Sequence, residues 1–439
     1  MRFLYYNMNV ENEEKQVKKL MSLFKTISKS ESYQQIIKVA SKNLGDIYLQ
    51  SKQTDLAEKL YLISNFIVPN DSGSFANLAK FYYENDNNDK AYNFISRAVQ
   101  LNPEDKDLLL NAGIISADCG KSKEAENFYK SVLNMDSENH KAKFGLAVEN
   151  FKQGNLLDAY RLFQNRHLAF NTDSMISSEL LSIPKWDGKS SGKLVVYNEQ
   201  GYGDFIFGIR YLDLLDTDFC FYIDQNINSL FKNTIYESSN KRVLKKVQYR
   251  CSILDIPSYY DCESFKSDAY SKIFKPIKKR KPKRNIGLVF SGGKSYSADK
   301  RRSIGLSKFS EILNNKHYKV TLFQKNISDN EYLDIDLPSS VKNCKCSNFY
   351  TTATELQNMD CLVTVDTSVA HLAGALDIPT FVLLDKYPDY RWWLNDKSTL
   401  WYKSWRLYKQ KIRGNWDDTI QDVIKDLDEF FNDLLQNYQ

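Results

Sequence analysis

C-L-V-T-V-D-T-S-V-A-H-L-A-G-A-L, Cys361 to Leu376, reads as a strand that ends at Asp366 and turns at once into a helix of small residues. An unbroken apolar run of this length suits a parallel strand covered on both faces. The helix behind it exposes first-turn N–H groups from Thr367 through Ala370, and its dipole favours an anion there. Outward from this point the pattern repeats. F-V-L-L at 381–384 is a further strand, N-I-G-L-V-F-S-G-G-K at 285–294 is a strand and glycine loop, and the basic cluster Lys300, Arg301, Arg302 follows it. Val320 to Gln324 is a strand ending in Lys325. Upstream, K-L-V-V-Y-N at 193–198 leads into E-Q-G-Y-G-D at 199–204, and Phe205, Ile206, Ile209, Leu212 and Leu215 then recur at helical spacing. Gly201 and Gly203 thus lie in a strand-to-helix turn where backbone can approach a ligand, with Asp204 at its mouth. Strands alternating with helices predict parallel sheets with sites at the strand C-terminal ends.

The first half has another period. Ala57, Ala91, Ala125 and Ala159 are 34 residues apart, as are Gly45, Ala79, Gly113 and Ala147, and Tyr61, Ile95, Tyr129 and Phe163. Pro69 and Pro103 keep the same interval. Helix pairs approach closely only where small side chains meet, and large apolar ones fill the groove toward the next pair. This pattern resembles the tetratricopeptide repeat. It predicts about four repeats over 41–170, with 1–40 as extra helices or a cap. Such solenoids offer a concave face to peptides or partner proteins, and a purely scaffolding or dimerising role stays open.

Composition excludes several classes. A net charge of +5 over 439 residues is too weak for a nucleic-acid binder. No basic and apolar leader is read at Met1, and the most apolar stretch, Cys361 to Leu384, is interrupted by Asp366, His371 and Asp377, so no membrane span is expected. Seven scattered cysteines argue for reduced thiols and a cytoplasmic protein, with Cys344 and Cys346 two separate thiols. Four histidines suggest no metal centre. F-K-P-I-K-K-R-K-P-K-R-N at 274–285 reads as an exposed basic linker.

W-D-G (186–188), E-Q-G-Y-G-D (199–204), L-V-F-S-G (288–292), R-R-S-I (301–304), F-Q-K (323–325), D-T-S-V-A-H-L-A-G (366–374), P-D-Y-R-W (388–392) and W-Y-K-S-W-R-L-Y-K-Q (401–410) occur in one order. In that order they resemble bacterial tetratricopeptide-repeat glycosyltransferases whose catalytic module is similar to the ADP-heptose:lipopolysaccharide heptosyltransferases. The resemblance covers roughly Pro184 to Trp416. It implies an all-α tetratricopeptide-repeat solenoid followed by an α/β, two-Rossmann-domain module of the GT-B type. The acceptor-side domain would span 184–275, a basic linker 276–284, and the nucleotide-sugar domain 285–412. A C-terminal helix over 413–439 would cross back to the first Rossmann-like domain.

The implied activity is inverting transfer of a sugar from a nucleotide-sugar to a protein or peptide engaged by the repeats, without metal or cofactor. A lipid-linked or lipopolysaccharide glycan is an alternative acceptor, and a non-catalytic repeat scaffold an alternative protein. Asp204 is the candidate base, or else a helix cap. Gly292, Gly293, Arg302, Lys325, Asp366, Thr367, Ser368, Val369, Ala370 and His371 form the candidate donor site. Arg302 comes first among the basic residues, and His371 is either a ligand contact or a packed core histidine. Asp389 and Arg391, with Trp392, would line the sugar pocket or pin the C-terminal lobe.

Overall fold

The computed structural model describes residues 31–231, 234, 243–260, 269–274, 280–293, 299–324, 337–393 and 397–436. Lys325, most of the expected cap at 1–40 and residues 276–279 of the expected linker lie outside them. Two compact units divide between Ser137 and Glu138.

In the first unit α1 (Glu31–Gln50) pairs with α2 (Thr54–Ile67), α3 (Ser72–Glu84) with α4 (Asn88–Leu101), and α5 (Lys106–Asp118) with α6 (Ser122–Met135). Ala57, Ala91 and Ala125 are fully buried. Where the facing column carries tyrosine, the first helix carries glycine: a Cβ on Gly45 would stand 3.1 Å from the Tyr61 ring, and one on Gly113 only 2.5 Å from Tyr129. Opposite Ile95 the same column holds Ala79. Asp71 and Asp105 cap α3 and α5 through the Ser74 amide (2.6 Å) and the Leu108 amide (3.1 Å).

The second unit opens with one more helix pair, α7 (His140–Gln153) and α8 (Leu156–Phe163), then α9 (Arg166–Phe170) and α10 (Ser178–Leu181). This pair keeps the small-against-large columns, with Ala147 and Ala159 buried near Phe163, yet its outer face joins the α/β core. The Phe151 ring stacks on Tyr390 at 4.7 Å, and the Tyr160 and Tyr211 hydroxyls are 2.6 Å apart. The last repeat is therefore built into the α/β unit.

Two all-parallel sheets follow. The first, in order β2 (Phe219–Tyr222), β1 (Leu194–Tyr197), β3 (Tyr249–Ser252), carries α11 (Tyr202–Gly208), α12 (Gln225–Asn228) and α13 (Ala269–Ile273). The second has the order β6 (Lys342–Asn343), β5 (Lys319–Leu322), β4 (Asn285–Val289), β7 (Cys361–Val365), β8 (Thr380–Leu384), β9 (Trp405–Lys409). With it go α14 (Asp299–Arg302), α15 (Ser310–Asn314), α16 (Phe349–Leu356), α17 (Ser368–Ala375) and α18 (Asp417–Gln436). Each strand of β4, β7 and β8 is buried almost throughout, which is why these runs carry no polar alternation.

Two expectations change. Helix α18 does not cross back to the first α/β domain: Trp416, Ile420, Val423, Leu427 and Phe431 share a core with Ile286, Val320, Val363 and Phe381 of the second sheet. That stripe covers a sheet face that would otherwise be bare. Cys344 and Cys346, expected as separate thiols, are bonded to each other across a 5.3 Å Cα separation, within disulfide reach. Cys119, Cys220, Cys251 and Cys361 take no part in a disulfide. At the described end of the linker, Arg280 pairs with Asp360 at 2.9 Å, so this arginine is tied to the second α/β domain.

The crevice at the β1 and β3 C-terminal ends is filled by Arg166 from α9. Its guanidinium meets Glu199 at 2.7 Å and Asp255 at 2.7 Å, and all three side chains are almost completely buried. His167 Nε2 (2.8 Å) and Lys185 (3.0 Å) also reach Asp255. Removing one partner of such a cluster strands buried charge, at a cost of about 3–5 kcal/mol. Arg166→Met should accordingly lower the stability of the second unit by that order in denaturant titration. A change below about 1 kcal/mol would show that the cluster is not a tie between α9 and the sheet.

Candidate functional site

In a doubly wound sheet, ligands bind outside the carboxyl ends of the strands where the order reverses. Here that point lies between β4 and β7, which are hydrogen-bonded neighbours. The loop after β4 holds Gly292 and Gly293, and the turn after β7 holds Asp366 and Thr367.

Arg302 joins the two loops. Its Nη1 donates to the Asp366 carbonyl at 2.8 Å and its Nε to Asp299 Oδ1 at 3.1 Å. Ser303 Oγ completes the clamp, donating to Asp299 Oδ2 and accepting from the Gly292 amide, both at 3.0 Å. A Cβ on Gly292 would collide with Asp299 and Arg302, so this glycine makes room for the clamp. Gly293 and Lys300 are exposed.

On the β7 side Thr367 caps α17, its Oγ1 accepting from the Ala370 amide at 3.4 Å. Ser368 and Val369, whose first-turn amides have no partner within the helix, are half-buried. His371 is buried in this structure among Phe207, Trp392, Tyr402 and Trp405, with Nδ1 3.0 Å from the Tyr402 hydroxyl. Burial, with Arg391, Arg210 and Arg302 nearby, pushes its pKa well below the usual imidazole value and keeps it neutral.

Helix α11 of the first sheet faces this turn. A Cβ on Gly203 would stand 2.9 Å from His371 and 3.5 Å from the Ser368 Cα, so Gly203 permits contact between two helix starts. Gly201 caps α11, and Asp204, in the first turn, reaches back with Oδ2 to the Gly201 amide at 3.0 Å. Its Oδ1 accepts a short bond from Arg391 Nη2. Arg391 Nη1 donates to Asp389 Oδ1 at 3.2 Å, while Nε is buried with no hydrogen-bond partner. The side chain is 8% exposed and lies against the rings of Tyr390 (4.8 Å) and Phe207 (4.9 Å). Burial works to lower the guanidinium pKa, but Asp389, Tyr390, Asp204 and Asp366 hold it well above the usual arginine value. Trp392 Nε1 donates to Asp366 Oδ2 at 2.9 Å, fixing that carboxyl.

The constellation therefore has two ends. Three carboxyl groups, Asp204, Asp366 and Asp389, surround Arg391 and suit hydroxyl donors. Arg302 and the start of α17, with Lys300 exposed beside them, suit an anion. Asp299 and Tyr402 carry this arrangement but escaped the sequence reading, as did Arg166 and Asp255 in the crevice of the first sheet. Asp299 had a signal, standing three residues before Arg302 in the first turn of a helix. Arg166 had none, because its partners lie 33 and 89 residues away.

Residues 72–105 match a family model described as a tetratricopeptide repeat, so the helical half carries that repeat. Among curated proteins none matches the chain. Solved structures similar to it include the MamA protein, at 14% identity over 31% of this chain and 74% of that one, with a TM-score of 0.29. YrrB, titled a TPR protein with an unusual peptide-binding site, matches at 16% identity over 35% of this chain and 88% of its own, with a TM-score of 0.28. The second TPR domain of human RPAP3, in complex with an HSP70 peptide, matches at 18% identity over 27% and 98%, with a TM-score of 0.25.

Asp366 gives the site a pH signature. Burial first, and Asp389 second, raise its pKa from 3.8 to about 6, against the opposing pull of Trp392, Arg391 and Arg302. A carboxyl raised on folding stabilises the folded state below its unfolded pKa, and that contribution is lost as pH rises through the folded value. Two pH units correspond to about 3 kcal/mol. The stability difference between Asp366→Asn and the native protein should shift in favour of the variant by about that amount between pH 4 and pH 7. A difference constant over this range, measured by denaturant titration, would place the raised carboxyl elsewhere.

Proposed function

We propose that the second unit is an inverting glycosyltransferase of the GT-B type, drawing on a nucleotide-sugar. The observation that carries the reading is the strand-order reversal at β4 and β7, which brings Arg302 and the start of α17 together opposite Asp204. A donor diphosphate would lie against the Ser368 and Val369 amides and Arg302, where charge developing on the leaving group is met by fixed dipoles and a cation. The sugar would extend inward, its hydroxyls donating to Asp366 and Asp389. Asp204 would take the proton of the acceptor hydroxyl as the glycosidic bond forms, and the nucleoside diphosphate departs with the bonding pair of the anomeric C–O bond. A carboxylate has about four acceptor sites, so the bonds from Gly201 and Arg391 leave Asp204 able to accept that proton. The tetratricopeptide repeats favour a polypeptide that brings the acceptor.

Asp204→Asn tests the base. Asn keeps the bond to the Gly201 amide and cannot take a proton, and Asp389 remains beside Arg391. Turnover of a nucleotide-sugar donor should fall about 10²- to 10⁴-fold with nucleoside-diphosphate affinity retained. Transfer at the native rate would exclude Asp204 as base.

A further inference from the structure

We propose that Cys344 and Cys346 form a reversible thiol–disulfide site, opened and closed by exchange with a small thiol and its disulfide, whose state sets how firmly α16 holds the two α/β domains together. The inference stands apart from the glycosyltransferase reading, which uses neither cysteine. The pair lies directly after β6, where the Cys344 amide donates to the Leu322 carbonyl of β5 at 2.8 Å, and shortly before α16, which begins at Phe349. Their bond closes a loop with one residue, Lys345, between its ends. A cross-link stabilises a fold largely by restricting the unfolded chain, and that effect shrinks with the loop it closes. A bond over so short a loop contributes little as a staple, which leaves its opening and closing as the property to explain.

Access separates this pair from the other thiols of the second unit. Cys344 and Cys346 are half-buried, with Lys345 and Ser347 exposed beside them. Cys220, Cys251 and Cys361 are fully buried, and burial pushes the Cys251 and Cys361 thiols well above the usual range, where they are inert to exchange. Reduction proceeds in two steps. A thiolate RS⁻ attacks one sulfur of the Cys344–Cys346 bond and joins it as a mixed disulfide, while the other sulfur leaves with the bonding pair and takes a proton. A second thiolate attacks the R-bearing sulfur, RSSR departs, and the remaining cysteine sulfur leaves with its pair and is protonated. The protein gains two electrons and two protons as two RSH become one RSSR, and closure is the reverse.

The bond governs the start of α16. Asn348 caps this helix, its Oδ1 accepting from the Thr351 amide at 3.0 Å, and Thr351 Oγ1 accepts from the Ser347 amide at 3.1 Å and the Asn348 amide at 3.2 Å. The next two residues reach the first α/β domain. The Phe349 ring meets Tyr202 edge to face at 5.1 Å, and the Tyr350 amide donates to Ser229 Oγ at 3.0 Å. Cys344 is anchored to β5, and the bond extends that anchor across Lys345 to Cys346, two residues before the cap. Once the bond is reduced, this link regains torsional freedom, and the cap opens more often together with both contacts to the first domain.

The test combines alkylation mass spectrometry with hydrogen–deuterium exchange on the full chain, in buffers of reduced and oxidised glutathione. The native protein should pass reversibly between a form with Cys344 and Cys346 bonded and a form with both alkylated, while Cys220, Cys251 and Cys361 stay unmodified in each. The amides of Tyr350, Thr351 and Thr352 should exchange about tenfold faster in the reduced form, the mark of a local opening. Cys344→Ser and Cys346→Ser should each show that faster exchange in both buffers, with native exchange in α17 and α18 certifying the fold. A pair that stays reduced at every glutathione ratio, or a bond that yields only when the protein unfolds, would overturn the proposal. So would a lasting glutathione adduct in place of the bond, or equal exchange at residues 350–352 in the two forms.

Discussion

A single buried guanidinium holds the candidate site together. Arg391 bridges Asp204, in the first turn of the helix after β1, and Asp389, which follows β8, so one side chain joins the two parallel sheets at the C-terminal ends of their strands. Taking an arginine out of water costs several kcal/mol, and only close, hydrogen-bonded carboxylates offset that. The surrounding sequence follows from this demand. Phe207 and Tyr390 cover the guanidinium faces, Gly203 lets α11 and α17 come close enough for the bridge, and neutral His371 adds no competing charge.

The two sheets then take different roles. In the second, the crevice at the strand reversal stays lined by a cation and a helix start. In the first, the corresponding crevice is occupied from within by Arg166, locked to Glu199 and Asp255. That filling explains why the last repeat belongs to the α/β unit.

Much of this was legible before the structure. The columns through Ala57 and Gly45 gave the repeats because packing at 34-residue spacing leaves a residue-size pattern, and the apolar runs within 285–294, 361–365 and 381–384 gave the buried strands because both faces must be apolar. The turns holding Asp204 and Asp366 were visible as strand-to-helix junctions. What stayed hidden depends on partners distant in sequence. The Arg391 bridge spans 187 residues, and the face covered by α18 cannot be read from its stripe, since either sheet offers apolar surface. Gly203 and Gly292 announced close approach, but not that the approaching groups are His371, Asp299 and Arg302.

The central claim is that the β4–β7 reversal binds a nucleoside diphosphate opposite Asp204. Hydrogen–deuterium exchange of the full chain with and without ADP or UDP tests it most directly. Exchange should slow at Ser368 and Val369, whose amides would meet the diphosphate, with the rest of the second unit little changed. Protection confined to the helical repeats, or none at saturating nucleotide, would contradict it.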